Sequence, residues 1–315
     1  MKSLVLLLCL LCVADAATGF RAGIATRVVT PDPLLPVSGG VGAGRPATRA
    51  EGDLTVRALV FEDGSTRVAM VSADFLGFPA VLGNRVRAAV KGIPPENILI
   101  GATHTHSAPD CYGFPDGKGG TSSDPKFLAI VCTRMAEAIN EAVAKLQPAQ
   151  LRIGSGEAKG KIAYNYYAEQ LYDPRCHVIQ ALDALGKPFA TLVNYAIHPE
   201  VIGSAAGVCS PDLIGPLCDE IAAKGGGTAI FMNSAQGGMV TADNRQPEGR
   251  EARTWAECQR IGTLLAGEAL RIVQAAPVQA APKLHCAART LTLPVDSPLM
   301  RALLKLTPGA AGANV

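Results

Sequence analysis

Asn97-Ile98-Leu99-Ile100-Gly101-Ala102-Thr103-His104-Thr105-His106-Ser107-Ala108-Pro109 joins an apolar run to two of the chain's five histidines. Asn97 to Ala102 reads as a core strand. Upstream, Ala80 to Lys91 has helical periodicity and Gly92-Ile93-Pro94-Pro95 breaks it, so the stretch closes a strand, helix, strand unit. Alternate residues of a strand share a face, and the i, i+2 spacing predicts that His104 and His106 project together from the strand end, where a loop begins. Imidazole is the commonest protein metal ligand and titrates near neutrality, which points to a metal ligand beside an acid-base group. The same spacing also fits two polar residues that merely end a strand.

Working outward, Thr55 to Phe61 and Arg67 to Ser72 are β-rich runs split by Glu62-Asp63-Gly64-Ser65, a hairpin signature. Asp124 before Pro125 marks a helix start, and Phe127 to Lys145 repeats apolar residues at intervals of three and four before Pro148. His177 to Leu182 and Ala190 to Ile197 flank Asp183-Ala184-Leu185-Gly186 as a second hairpin. Asp212 to Ala223, Thr228 to Asn233 and Trp255 to Gln274 then read as helix, strand and helix. Hairpins mixed with βα units imply an α/β fold, a mixed β-sheet core with flanking helices. No internal repeat or low-complexity linker marks a domain boundary, so 17–315 reads as a single α/β domain.

The first residues bound the compartment. Met1-Lys2 is a short basic start, Leu4 to Val13 an apolar core, and Ala14-Asp15-Ala16 a small-x-small cleavage pattern. Together they predict a signal peptide over 1–16, cleavage after Ala16, and a secreted or periplasmic protein. No segment approaches the roughly 20 apolar residues of a transmembrane helix. A formal charge of +2 with dispersed charges leaves no basic stripe for nucleic acid and no polybasic lipid anchor. Cys111, Cys132, Cys176, Cys209, Cys218, Cys258 and Cys286 remain after cleavage, an odd number with no CxxC spacing. Most read as small buried residues.

Several blocks, in order, resemble the neutral/alkaline non-lysosomal ceramidases and their bacterial relatives. They are Ala22-Gly23-Ile24-Ala25 with Thr30-Pro31, Arg57-Ala58-Leu59-Val60, Val71-Ser72-Ala73-Asp74, and Ala102-Thr103-His104-Thr105-His106-Ser107-Ala108-Pro109. The order continues with Leu192-Val193-Asn194-Tyr195-Ala196-Ile197-His198-Pro199, Ser210-Pro211-Asp212 and Phe231-Met232-Asn233-Ser234-Ala235-Gln236-Gly237-Gly238. The resemblance runs from about Ala22 to about Val295. It implies the fold of the family's N-terminal catalytic domain, and hydrolysis of the amide of N-acylsphingosine, a sphingolipid, or of related acyl compounds at one zinc ion. Carried over by position, His104 and His198 match the two histidine zinc ligands, and His106 matches the histidine beside the reacting carbonyl.

The chain also departs from that pattern. The family's further zinc ligands, a glutamate and a tyrosine in a more C-terminal block, have no recognisable copy, which makes the domain read as C-terminally shortened. A catalytic zinc normally has three protein ligands plus water, so Asp212 is the first candidate to complete the set. Asp74 ends a strand and is a candidate to orient a ligand histidine. Val240 stands where ceramidases acting on lipid carry a serine nucleophile. Thr241 is adjacent on the opposite side-chain direction, and zinc-activated water supplies the alternative nucleophile. Gly237, Gly238 and Thr241 are expected to border the substrate cleft. Gly52 stands where relatives often have histidine, and Asn165-Tyr166 where many have Asn-Arg. His177 and His285, beside Cys176 and Cys286, read as structural, and Asp53 and Arg57 as an ion pair.

Two readings follow. One is a secreted zinc-dependent hydrolase of amide or ester bonds acting on an acyl-amide or lipid-like small molecule. The other is a catalytically impaired or truncated ceramidase-like protein that keeps the fold and a binding cleft. A TIM-barrel amidohydrolase fits poorly, because eight βα units are not visible and the histidine pair follows several strands.

Overall fold

The structure is a computed structural model that describes residues 19–306 apart from Val41, Gly238, Glu248 and Leu293. The expected signal peptide and Gly238 lie outside the described residues.

Two five-stranded mixed sheets lie face to face between two layers of helices. The first runs in the order Ile98–Ala102, Thr66–Ala73, Thr55–Asp63, Arg21–Val28 and Gln147–Pro148. The second runs Thr228–Asn233, Pro188–Tyr195, Arg175–Leu182, Gln150–Glu157 and Val278–Gln279. Ile98–Ala102 pairs parallel with Thr66–Ala73, and Thr228–Asn233 parallel with Pro188–Tyr195, while the remaining pairs are antiparallel. Each sheet thus contains a hairpin to which a crossover helix, Ala80–Ala89 or Ile214–Ala223, adds one parallel strand on one side, with two further antiparallel strands on the other. The plan occurs twice although no repeat is visible in the sequence, because topology constrains only the pattern of burial and not residue identity.

That pattern explains the apolar runs. In Ala58-Leu59-Val60-Phe61, Leu59 and Phe61 pack between the sheets with Leu192 and Ile230, while Ala58 and Val60 meet helix Pro125–Ala144 on the other face. A strand covered on both faces reads as continuous rather than alternating hydrophobicity. The second sheet does the same: Val193 and Phe231 pack against Leu217 of Ile214–Ala223 and Ile261 and Leu265 of Trp255–Gln274. Those two helices touch so closely at Gly262 that a Cβ there would stand 2.4 Å from the Leu213 carbonyl oxygen. Any side chain would force them apart.

Local signals set the helix ends. Asp124 accepts the amides of Lys126 and Phe127 at 2.8 and 3.0 Å, and Thr254 accepts that of Glu257 at 3.3 Å. Each cap satisfies amides that have no partner within the helix.

All described cysteines are free thiols and all but Cys286 are buried. Burial pushes the Cys176 and Cys209 thiols up to about 12. Arg57 does not meet Asp53: its guanidinium donates to Thr55 Oγ1 and to the Ala229 carbonyl of the facing sheet, while Asp53 accepts from Thr30. No described helix is long and apolar enough to cross a membrane.

Candidate metal centre

Because both crossovers are parallel, the carboxyl ends of Thr66–Ala73, Ile98–Ala102, Pro188–Tyr195 and Thr228–Asn233 feed loops into one region, the usual location of a ligand site in open α/β sheets. Two loops there carry the histidines, and the backbone ties them directly: His106 N donates to the Pro199 carbonyl at 3.0 Å. Asn233, at the end of the neighbouring strand, donates its amide to the Thr103 carbonyl at 2.8 Å and accepts the Ile197 amide at 3.3 Å.

His104, His106 and His198 converge. Their ring centroids are 4.9 Å apart for His104 and His106, 4.7 Å for His104 and His198, and 5.7 Å for His106 and His198. One nitrogen from each lies within 4.8 Å of the others, so the three can hold a metal ion. The convergence does not come from strand alternation, as the spacing predicted. The strand stops at Ala102, and His104 has φ 72°, in the left-handed region. Its amide donates to the Phe75 carbonyl at 2.9 Å and its Nδ1 meets the Leu76 carbonyl at 2.6 Å. Those contacts offset a backbone cost of about 1–2 kcal/mol. Among the described non-glycine residues, only His104 and Asp212 have positive φ.

The ring nitrogens are not equivalent. His198 Nδ1 meets the Val240 carbonyl at 2.6 Å, just as His104 Nδ1 meets that of Leu76. A carbonyl accepts only, so both rings carry hydrogen on Nδ1 and keep the Nε2 lone pair free. His106 Nε2 is buried with no hydrogen-bond partner. Two rings held in ligand tautomers are donors suited to a cation such as zinc, and the orphaned imidazole nitrogen beside them has a lone pair free to take a proton. Burial lowers the pKa of His104 and pushes His106 down to about 4, with Glu200 opposing the shift in both, so these two rings favour the neutral form. Neutral imidazole is the form that binds metal.

The proposed carboxylates fall elsewhere. Asp212 is fully buried, at φ 54°, and accepts the amides of Ile202 at 2.9 Å and Leu213 at 2.8 Å. It is outside the group of converging ligand atoms and instead clamps the loop that follows His198. Asp74 accepts the Thr55 amide and hydroxyl at 2.8 and 2.7 Å, and it is the carbonyl of Leu76 that orients His104. The Val240 side chain is buried among Tyr195, Ile197 and Val201, so the chain meets the site there through its carbonyl. Gly237 has φ 57° and open space where a side chain would stand.

Sequence reasoning missed Glu200. Its carboxylate lies 3.7 Å from His106 Nδ1 and accepts the Thr241 hydroxyl at 2.7 Å. Glu200 and Thr241 also line a cavity of about 260 Å³, with Tyr166, Tyr167, Asn244 and Arg253 around it. The signal was present in His198-Pro199-Glu200, since Glu200 is the only carboxylate within either histidine segment, 103–109 or 197–201.

Fold and site together define an α/β protein of two packed mixed sheets with three histidines gathered at the ends of parallel strands. This chain is a relative of neutral ceramidase over part of that enzyme's length. The neutral ceramidase of Pseudomonas aeruginosa is 27% identical over 216 residues, covering 61% of this chain and 32% of the relative. The crystal structure of neutral ceramidase from Pseudomonas aeruginosa superposes with a TM-score of 0.68 at 20% identity, covering 82% of this chain and 45% of that one. A ceramidase complexed with C2 gives 0.66 at 21% identity, covering 82% and 44%. No protein-family model matches. The chain spans about a third of the curated relative and under half of the solved chains.

Proposed function

We propose that this chain is an exported zinc-dependent hydrolase of acyl amides, with lipid-like N-acyl compounds as the substrate class. The observation that carries the reading is the convergence of three imidazoles, two of them held by backbone carbonyls in the tautomer that leaves Nε2 free. The relationship to neutral ceramidase supports the reaction class, and the amino-terminal segment supports export. His104 and His198 would hold the metal, which when bound would supply Lewis-acid polarisation of the carbonyl and a lowered pKa for water. His106 takes the proton of the attacking water as its oxygen bonds to the carbonyl carbon. It returns the proton to nitrogen as the carbon–nitrogen bond breaks, giving a carboxylic acid and an amine. The cavity beside Glu200 and Thr241 provides the approach for substrate.

The experiment is zinc per chain after dialysis, together with turnover of a fluorogenic N-acyl substrate. The proposal expects bound zinc and zinc-dependent turnover, both lost in His104→Ala and His198→Ala. Zinc binding without turnover would favour the alternative of a binding cleft alone.

A further inference from the structure

Three histidines so close together raise the question of which hold metal and which moves the proton. We infer that Glu200, held by Thr241, is the positioning residue that sets His106 apart from the other two for proton transfer. This rests on the hydrolase reading above and deepens it.

The three rings differ in what stands behind them. His104 and His198 each have Nδ1 against a main-chain carbonyl at 2.6 Å. His106 also has a backbone hydrogen bond, to Gly39, but it alone adds a carboxylate: Glu200 Oε2 lies 3.7 Å from its Nδ1, an ion-pair contact rather than a hydrogen bond. A carbonyl fixes a tautomer, whereas a carboxylate also stabilises the ring while it carries a second proton.

Glu200 is itself held. Thr241 donates to Oε1 at 2.7 Å, which leaves Oε2 turned toward His106. The order is therefore Thr241 hydroxyl, Glu200 carboxylate, His106 Nδ1, and then the buried, unpartnered Nε2 at the centre. Glu200 lies outside the group of converging ligand atoms, so it supports the ring from behind rather than adding a ligand. This placement gives the valine at 240 and the threonine at 241 different parts. One contributes a carbonyl to a metal-holding ring, and the other a hydroxyl to the proton-moving one.

The test uses the full chain with Glu200→Gln, Glu200→Asp and Thr241→Val. Zinc affinity is measured by competition with a chelating dye, and kcat and KM on N-acyl alkylamides and N-acyl nitroanilides. For Glu200→Gln the expected result is zinc affinity within about threefold of the parent and kcat on the alkylamide lower by about 10–100-fold at similar KM. The loss should be smaller on the nitroanilide, whose amine leaves with less need of a proton. Glu200→Asp should recover part of kcat, and Thr241→Val should lose less than Glu200→Gln. Zinc loss matching that of His104→Ala would make Glu200 a ligand and overturn the inference, as would equal losses on both substrates. Should the parent neither bind zinc nor turn over, the hydrolase reading fails. The inference is then decided by imidazole nitrogen NMR: Glu200→Gln should shift the His106 resonances and leave those of His104 and His198, and an unmoved His106 overturns it.

Discussion

Asn233 donates its side-chain amide to the Thr103 carbonyl at 2.8 Å, joining the end of the second sheet to the loop that carries His104. The same side chain accepts the Ile197 amide, one residue before His198. A single carboxamide thus bridges the two loops, adding to the direct bond from His106 N to the Pro199 carbonyl. Asn233→Ala should lower zinc affinity by about 10-fold, in the range seen when groups that orient ligands are removed. It should cost about 1–2 kcal/mol of stability by leaving the Thr103 carbonyl and Ile197 amide unpaired. Zinc competition and urea unfolding measure the two separately. Unchanged zinc affinity would show that the loops hold their spacing without Asn233.

Val240→Ser addresses the missing nucleophile. The side chain is buried in the apolar core of the second sheet and its helices, so a serine there would bury a hydroxyl away from substrate. The expected outcome is no gain in amidase activity and a stability loss of about 1–3 kcal/mol. The carbonyl that holds His198 is retained, so zinc affinity should persist. A rise in turnover would mean that the residue turns toward the site when hydroxylated.

Burial pushes the Asp212 carboxyl up to about 6, against the amides that favour its charge. The folded chain therefore keeps a proton that the unfolded chain has already lost between about pH 4 and 6. Stability contributed by that proton is present at low pH and lost as pH rises through this window, amounting to about 3 kcal/mol. Asp212→Asn has no such titration. The stability of the parent relative to Asp212→Asn, from urea unfolding at several pH values, should decline from pH 4 to 7, and a flat difference would refute the shift.

Thiol reactivity should single out Cys286, the only described cysteine that is not buried. In native protein it should react with a disulfide reagent at mild alkaline pH while Cys111, Cys132, Cys176, Cys209, Cys218 and Cys258 react only after unfolding. A reducing agent should leave the melting temperature unchanged. A shift on reduction would reveal a disulfide.

The sequence by itself determined the elements and their kinds. The hairpin at Glu62-Asp63-Gly64-Ser65, the Asp124 helix start and the helix from Trp255 to Gln274 stand in the structure as their residues predict. So does the mixed α/β class, because capping, turn chemistry and burial period are local properties. The histidines could be named as candidates because their residue type and motif carry chemistry without coordinates. What only the tertiary structure decided is how they meet. Strand alternation predicted a shared face for His104 and His106, but the strand ends two residues earlier, and a left-handed turn fixed by the carbonyls of Phe75 and Leu76 aims the first ring. Asp212 and Asp74 looked like site carboxylates and are spent on backbone and threonine partners, while Glu200, unremarked in the sequence, faces His106. A side chain's partners are set by contacts between residues far apart in the chain, and local sequence carries no record of those distances.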